Sequence, residues 1–191
     1  MNQGCIHFLA VRLQKWAEDA RKQWRFTMTT NGTLLTPKVI AELRPLGLSS
    51  VRVSIDGVRE VHDARRPFRT GGGSSHDAVL ANLRAVAPLI PVTLVMTLSP
   101  GGVARLPEFL DELDAAGILP HLAAISPGIE QAYLNAEGAP CGGGQSCIKS
   151  AAAAGDYCAA LRLLADRGVP TGAELLQADN CSVMMNGGML V

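Results

Sequence analysis

Ser49-Ser50-Val51-Arg52-Val53-Ser54-Ile55-Asp56-Gly57 is the stretch that decides the fold. Val51, Val53 and Ile55 alternate with Arg52 and Ser54, the two-residue period of a strand with one covered face. Asp56-Gly57 is a turn dipeptide that ends it. Upstream, Thr36 is an N-cap and Pro37 an N1 proline for a helix over 37–46, with Val39, Ile40, Leu43 and Leu46 as its stripe. Pro45 tightens the end of that helix and Gly47 stops it. Before it lie a short strand over 25–30, ending at Asn31-Gly32, and a helix over 6–24. The stripe of that first helix is Leu9, Leu13, Trp16, Ala17, Ala20 and Trp24. Downstream the pattern predicts a helix over 76–87, a strand over 92–98, a helix over 104–116 closed by Gly117, and a strand over 118–125. Strand and helix alternate from 25 to 125, which predicts β-α-β units with right-handed crossovers and a parallel sheet.

The rest of the composition agrees with a packed α/β chain. Over 191 residues, Lys+Arg and Asp+Glu are both 17, so no net field gathers nucleic acid or an anionic membrane surface. Hydrophobic residues are 48%, which excludes a largely disordered chain, and with aromatics at 4% the core volume comes from Leu, Val, Ile and Ala. No apolar run approaches the ~20 residues of a membrane span. The opening Met1-Asn-Gln-Gly-Cys-Ile-His has no basic lead into an apolar stretch, so no secretory signal is expected. Five cysteines, an odd number, point to a reducing cytoplasm rather than a disulfide framework.

Beyond Pro127 the composition changes. The expected organisation is a partial barrel over 1–127 and a C-terminal segment over 128–191. That segment reads as an irregular stretch to residue 150, a helix near 151–167, a short extended piece after Gly168, and a hairpin around Gly187-Gly188.

In a parallel α/β sheet, ligands bind at the carboxyl ends of strands. Three polar groups of residues fall there: Thr29-Thr30-Asn31-Gly32; Ser54 and Asp56, with His62-Asp63-Ala64-Arg65-Arg66 following; and Met96-Thr97-Leu98-Ser99. Ser54 and Asp56 share a side, and an arginine at 65 or 66 can clamp a carboxylate bidentately. Taken singly, Asn31-Gly32 and Asp56-Gly57 are turns and His62-Asp63 is a capping or surface pair. Gly71-Gly72-Gly73-Ser74-Ser75 lacks the lysine and the spacing of a phosphate loop, and reads as a lead-in to the next helix.

Order and spacing say more. Thr29-Thr30-Asn31-Gly32-Thr33-Leu34-Leu35, then Val53-Ser54-Ile55-Asp56-Gly57, then His62-Asp63-Ala64-Arg65-Arg66, then a Gly-Ser stretch and Asp77-Ala-Val-Leu-Ala-Asn-Leu resembles the radical S-adenosylmethionine superfamily over roughly residues 6–120. The resemblance is closest to its peptide- and protein-modifying branch, which carries a cysteine-rich SPASM or twitch extension and includes the anaerobic sulfatase maturases. It implies an α/β fold, a partial (β/α) barrel of the (β/α)6 type, with an irregular cysteine-containing C-terminal segment. It also implies an oxidoreductase in which a 4Fe–4S cluster cleaves S-adenosylmethionine to a 5′-deoxyadenosyl radical that acts on a peptide or protein substrate. By motif position, Ser54 contacts the methionine or ribose moiety of the cofactor, and Thr30, Asn31, Asp56 and Met96 line the same mouth. Arg66 holds a carboxylate or braces the loop.

The chain departs from the family in two places. It contains no CxxxCxxC motif, and no GGEP-like strand end for the cofactor's amino group. Cys5 stands alone, so the chain reads as an internal fragment without the catalytic cluster loop. Cys141, Cys147, Cys158 and Cys181 form no CxxC pair. Cys181 resembles the opening of the extension's hairpin and is the candidate auxiliary-cluster ligand of a full-length parent. The competing expectations are a non-catalytic barrel remnant that binds a peptide or partner, and a nucleotide-binding protein using Gly71–Ser75.

Overall fold

The computed structural model describes residues 3–99, 101–129 and 151–171. Helix α1 (Gln3–Asp19) leads to strand β1 (Phe26–Thr30), helix α2 (Pro37–Leu43) and strand β2 (Leu48–Ser54). Helices α3 (Arg59–Arg65) and α4 (Ser75–Val86) then precede strand β3 (Val92–Leu98). Helix α5 (Leu106–Ala115), strand β4 (Leu122–Ile129) and helix α6 (Ala151–Asp166) complete the order. The four strands lie in sequence order, β1-β2-β3-β4, and every adjacent pair is parallel. A further parallel bridge joins Ile125 to Thr171, with the Ile125 amide donating to the Pro170 carbonyl at 2.9 Å. The expected α/β partial barrel is therefore the observed fold. The described part of 151–171 packs on the same sheet, through Ala160, Leu164 and Val169.

The sheet has two unlike faces. In β3, Val92, Leu94, Met96 and Leu98 are buried while Thr93, Val95 and Thr97 are half-buried. In β2, Val51 and Val53 share the phase of the buried set, in register with Val92 and Leu94. These side chains meet Val39, Ile40 and Leu43 of α2, Val79, Leu83 and Val86 of α4, and Phe109, Leu110 and Leu113 of α5 in one core. The opposite face carries Thr29, Arg52, Ser54, Thr93, Val95 and Thr97, with Ser126 of β4 in register with Val95. A (β/α) barrel needs this division, helices outside and polar groups within, because only the outer face is covered.

Local chemistry sets the turns. The Thr36 hydroxyl accepts the Val39 amide with Pro37 at N1, as the sequence predicts. Pro45 converts the end of α2 into a 3-10 turn over Arg44–Leu46, and Gly47 closes it at φ 101°. Pro120 does the same over Leu119–His121, so β4 starts at Leu122 rather than near 118. Helix α3 falls inside 56–75, a polar, basic and glycine-rich stretch of the sequence; its seven residues are too few to show a helical period.

The first helix differs most from expectation. It stops at Asp19, Arg21 takes a left-handed φ of 54°, and the Trp24 indole instead donates to the Leu46 carbonyl at 2.9 Å. Ala10 and Ala17 are the residues it buries, whereas Leu9, Leu13 and Trp16 are exposed. Small side chains let α1 approach the 3-10 turn after α2, where Gln14 reaches the Pro45 carbonyl at 3.4 Å. No helix among the described residues is long and apolar enough to cross a membrane. The hairpin expected around Gly187-Gly188 and the irregular stretch from 130 to 150 lie outside the described residues.

Gly32 ends β1 at φ +79°, and a Cβ there would stand 2.8 Å from Val53 Cγ1 and 3.2 Å from Val79 Cγ1. Gly32→Ala combines a left-handed backbone with a clash in the core, and is expected to lose about 2 kcal/mol. Urea denaturation of the two proteins checks this; unchanged midpoints would show that the β1–α2 turn relaxes freely.

Candidate functional site

Parallel strands bring the ends of β1, β2 and β3 to one edge of the sheet, so Asn31, Ser54 and Thr97 lie at the same end. The most heavily tied residue there is Asp56, which is 3% exposed. Arg66 grips its carboxylate bidentately, Nε to Oδ2 at 2.7 Å and Nη2 to Oδ1 at 3.2 Å. The Thr97 amide, on β3, also points at Oδ1 at 3.4 Å. The Asp56 amide donates to His62 Nδ1 at 3.1 Å. Arg65 Nη1 meets the Thr97 carbonyl at 2.7 Å, so α3 is fastened across the ends of both strands.

The other polar residues of 62–66 are equally committed. The Asp63 carboxylate accepts the His76 amide and faces the Ser75 hydroxyl, both at 2.9 Å, while Ser74 caps α4 through the Asp77 amide at 3.0 Å. Burial raises the Asp63 pKa, but the hydrogen bonds from Ser74, the His76 amide and Ser75 outweigh it and hold the acid at about 2. This bears out the capping reading of Asp63, and the lead-in reading of 71–75: three left-handed glycines run into a helix starting at Ser75. His62 is pushed below the ordinary histidine range by burial first and then by the neighbouring His76; Asp56 and Asp63 pull the other way. Its Nδ1 is an acceptor for an amide, so the neutral ring with the proton on Nε2 is the one that fits.

The remaining candidates separate. Asn31 Oδ1 receives the Thr33 amide at 3.3 Å and the Thr33 hydroxyl at 3.1 Å, and Thr30 Oγ1 receives the Gly32 amide at 3.2 Å. Thr30 is in register with Val53 and so belongs to the helix-side phase, as does Met96, which is 1% exposed. Ser54 lies on the opposite, polar face, paired with Val95. The sheet edge therefore gathers Ser54, Asp56, Arg66 and Asn31; Met96 is buried in the core, where it lines a small cavity with Asp56, Val58, Val61, Leu98 and Leu106. Reasoning from the sequence places Thr29 and Thr97 in the strand-end groups without singling them out, and overlooks Arg52 and Thr93 on the polar face, although the strict alternation of Val92–Leu98 carried that signal. It also overlooks Asn82, whose Nδ2 ties down the Gly32 and Thr33 carbonyls at 2.9 and 3.0 Å.

Residues 6–113 match the family model of the Radical SAM superfamily. The chain belongs to that superfamily. Two curated relatives, both from Methanosarcina barkeri (strain Fusaro / DSM 804), are similar to parts of it. One is an Fe-coproporphyrin III synthase, 34% identical over 94 residues, covering 49% of this chain and 23% of the relative. The other is an AdoMet-dependent heme synthase, 50% identical over 40 residues, covering 20% of this chain and 12% of the relative. The chain thus aligns with less than a quarter of either relative's length.

Radical SAM proteins use S-adenosylmethionine and a 4Fe–4S cluster, and the two fit this chain differently. The polar sheet face offers hydroxyl groups at Thr29, Ser54 and Thr97, a set suited to ribose hydroxyls. For the cluster, no group of three metal-ligating side chains exists among the described residues, where Cys5 and Cys158 are both exposed. Cys141, Cys147 and Cys181 lie outside the described residues, and the sequence has no CxxxCxxC. The described residues do not fit the family's cluster.

Asp56→Asn would leave the half-exposed Arg66 guanidinium without its counter-charge, at an expected loss of about 2–3 kcal/mol by thermal or urea denaturation. A loss under about 0.5 kcal/mol would show that the pair does not hold this edge together. His62 predicts a pH dependence. Because its folded pKa is depressed, the unfolded chain binds the proton more readily, so stability present above the unfolded value near 6.5 falls as pH drops through 6.5 toward 5. In His62→Gln, which keeps an acceptor but cannot titrate, the melting temperature should fall less over that interval; equal slopes would refute the assignment.

Proposed function

We propose that this chain forms the S-adenosylmethionine-cradling part of a radical SAM enzyme whose substrate is a tetrapyrrole. The observation that carries the cofactor half of this reading is the polar face of the parallel sheet ending at Ser54, in a chain of this family. Ser54 hydrogen-bonds the ribose or methionine moiety, and Thr29 and Thr97 extend the same wall. Asn31 borders the mouth. Asp56 and Arg66 act on the cofactor indirectly: each spends its charge on the other, so together they set the height of the loop after β2. Thr30 and Met96 supply backing from the helix side. The family's cluster-dependent radical chemistry uses cysteines that the described residues do not provide, and no step is assigned to these side chains beyond binding, orienting and excluding water.

The substrate half is carried by the names of the relatives, a coproporphyrin synthase and a heme synthase. They favour a tetrapyrrole over the peptide or protein expected from the motif order. The peptide-modifying, SPASM-type reading then rests on that order and on Cys181 as an auxiliary-cluster ligand. In either case the setting is a cytoplasmic one, in keeping with the odd cysteine count.

Equilibrium dialysis against labelled S-adenosylmethionine tests the cofactor site. The 191-residue chain should bind, and Ser54→Ala should weaken binding about tenfold, the worth of one hydrogen bond to a charged or desolvated group. After anaerobic reconstitution with iron and sulfide, the same chain should release no 5′-deoxyadenosine under dithionite. Cofactor binding that is indifferent to Ser54, or turnover by this chain, would overturn the proposal; absence of any binding would favour the partner-binding alternative.

A further inference from the structure

A cavity opens at the same sheet edge, between the β1–α2 loop and the α3–α4 connection. It has a volume of about 270 Å³ and is lined by Asn31, Thr33, Arg66, Phe68, Arg69 and Ser75, with His62 and Pro67 completing its wall. That is room enough for a short carboxylate-bearing arm.

The charges around it are nearly all spent. Arg66 is neutralised by the buried Asp56. Asp63 is closed off by the Ser75 hydroxyl and the His76 amide. His62 is held neutral, its Nδ1 taken by the Asp56 amide. Asn31 turns its oxygen to Thr33, which leaves its amide hydrogens as donors. Arg69 is exposed and makes no hydrogen bond or ion pair among the described residues. One guanidinium is thus the uncompensated charge of the cleft, next to an aromatic ring and a side-chain amide donor. A guanidinium fork binds a carboxylate bidentately and with one matching charge, and the Phe68 ring offers an apolar surface for the methylenes that carry it.

We propose that this cleft is a carboxylate-arm site, with Arg69 as its anchor, and that it orients the substrate by one anionic side arm while the reacting part lies toward the polar sheet face. In its tetrapyrrole form the proposal rests on the substrate reading above, where the arm is a propionate of the macrocycle. An acidic peptide side chain offers the same chemistry, and the experiment separates the two.

The test titrates the 191-residue chain, Arg69→Gln and Arg69→Lys with three probes: coproporphyrin III, a tetracationic N-methylpyridyl porphyrin, and a short glutamate-containing peptide. Porphyrin binding is read from the Soret band and peptide binding by calorimetry. The expected result is coproporphyrin binding that weakens about tenfold in Arg69→Gln and less in Arg69→Lys, while the cationic porphyrin is not weakened. Because Arg69 is exposed, circular dichroism melts of both variants should match the parent; if Arg69→Gln melts early, the Arg69→Lys comparison decides. Coproporphyrin binding that is equal in all three proteins overturns the carboxylate site and leaves the tetrapyrrole reading standing. Arg69-dependent peptide binding without porphyrin binding keeps the site and removes the tetrapyrrole. Binding of none of the probes overturns the site.

Discussion

The buried carboxylate of Asp56 is the constraint on which the functional edge of this molecule depends. A carboxylate taken out of water persists as an anion only where opposite charge and hydrogen bonds replace its hydration. Here the replacements come from the C-cap of α3, Arg66, and from β3, through the Thr97 amide, while the residue's own amide is received by His62. Satisfying one charge therefore fastens two strand ends and a short helix. That helix then presents Asp63 to the start of α4. The His-Asp-x-x-Arg order is a lock with three bolts: His62 on the loop amide, Asp63 on the next helix, Arg66 on the acid.

The lock matters because the sheet it closes is two-sided. Helices α2, α4, α5 and α6 cover one face, and burial there is continuous from Val39 to Leu164. The other face keeps a threonine, serine and arginine surface. A parallel sheet buried on both sides would read as unbroken apolar runs. The interleaved threonines of Val92–Leu98 instead mark a strand whose second face turns to a polar interior. The bridge from Ile125 to Thr171 shows the same pattern continuing after α6, one crossover further round the barrel.

Much of this was legible in the chain. The capped start of α2, the glycine stop at 47 and the alternation of β2 and β3 are local signals, decided by neighbours a few residues away. The clustering of Asn31, Ser54 and Asp56 at one edge follows from parallel strands alone, since their carboxyl ends must coincide. Other features were not legible. Met96 and Ser54 look equivalent as strand-end residues, yet the pleat sends one into the core and the other to the polar face. Trp24 continues the helical stripe of residues 9–16 in sequence, but a left-handed Arg21 ends the helix first and the indole seals the turn at Gly47.

By itself the sequence determined the strands, every helix but α3, their parallel order and the superfamily, because hydrophobic period, caps and motif spacing act over short stretches of chain. Only the tertiary structure decided what each charge does. Whether an arginine clamps a ligand or a neighbouring acid depends on which groups arrive beside it when α3 crosses the ends of β2 and β3. Arg66 meets Asp56 there, while Arg69, three residues on, makes no ion pair among the described residues. Nothing within a few residues of either distinguishes them; the free energy of pairing a buried carboxylate does, and that exists only once the strands have come together.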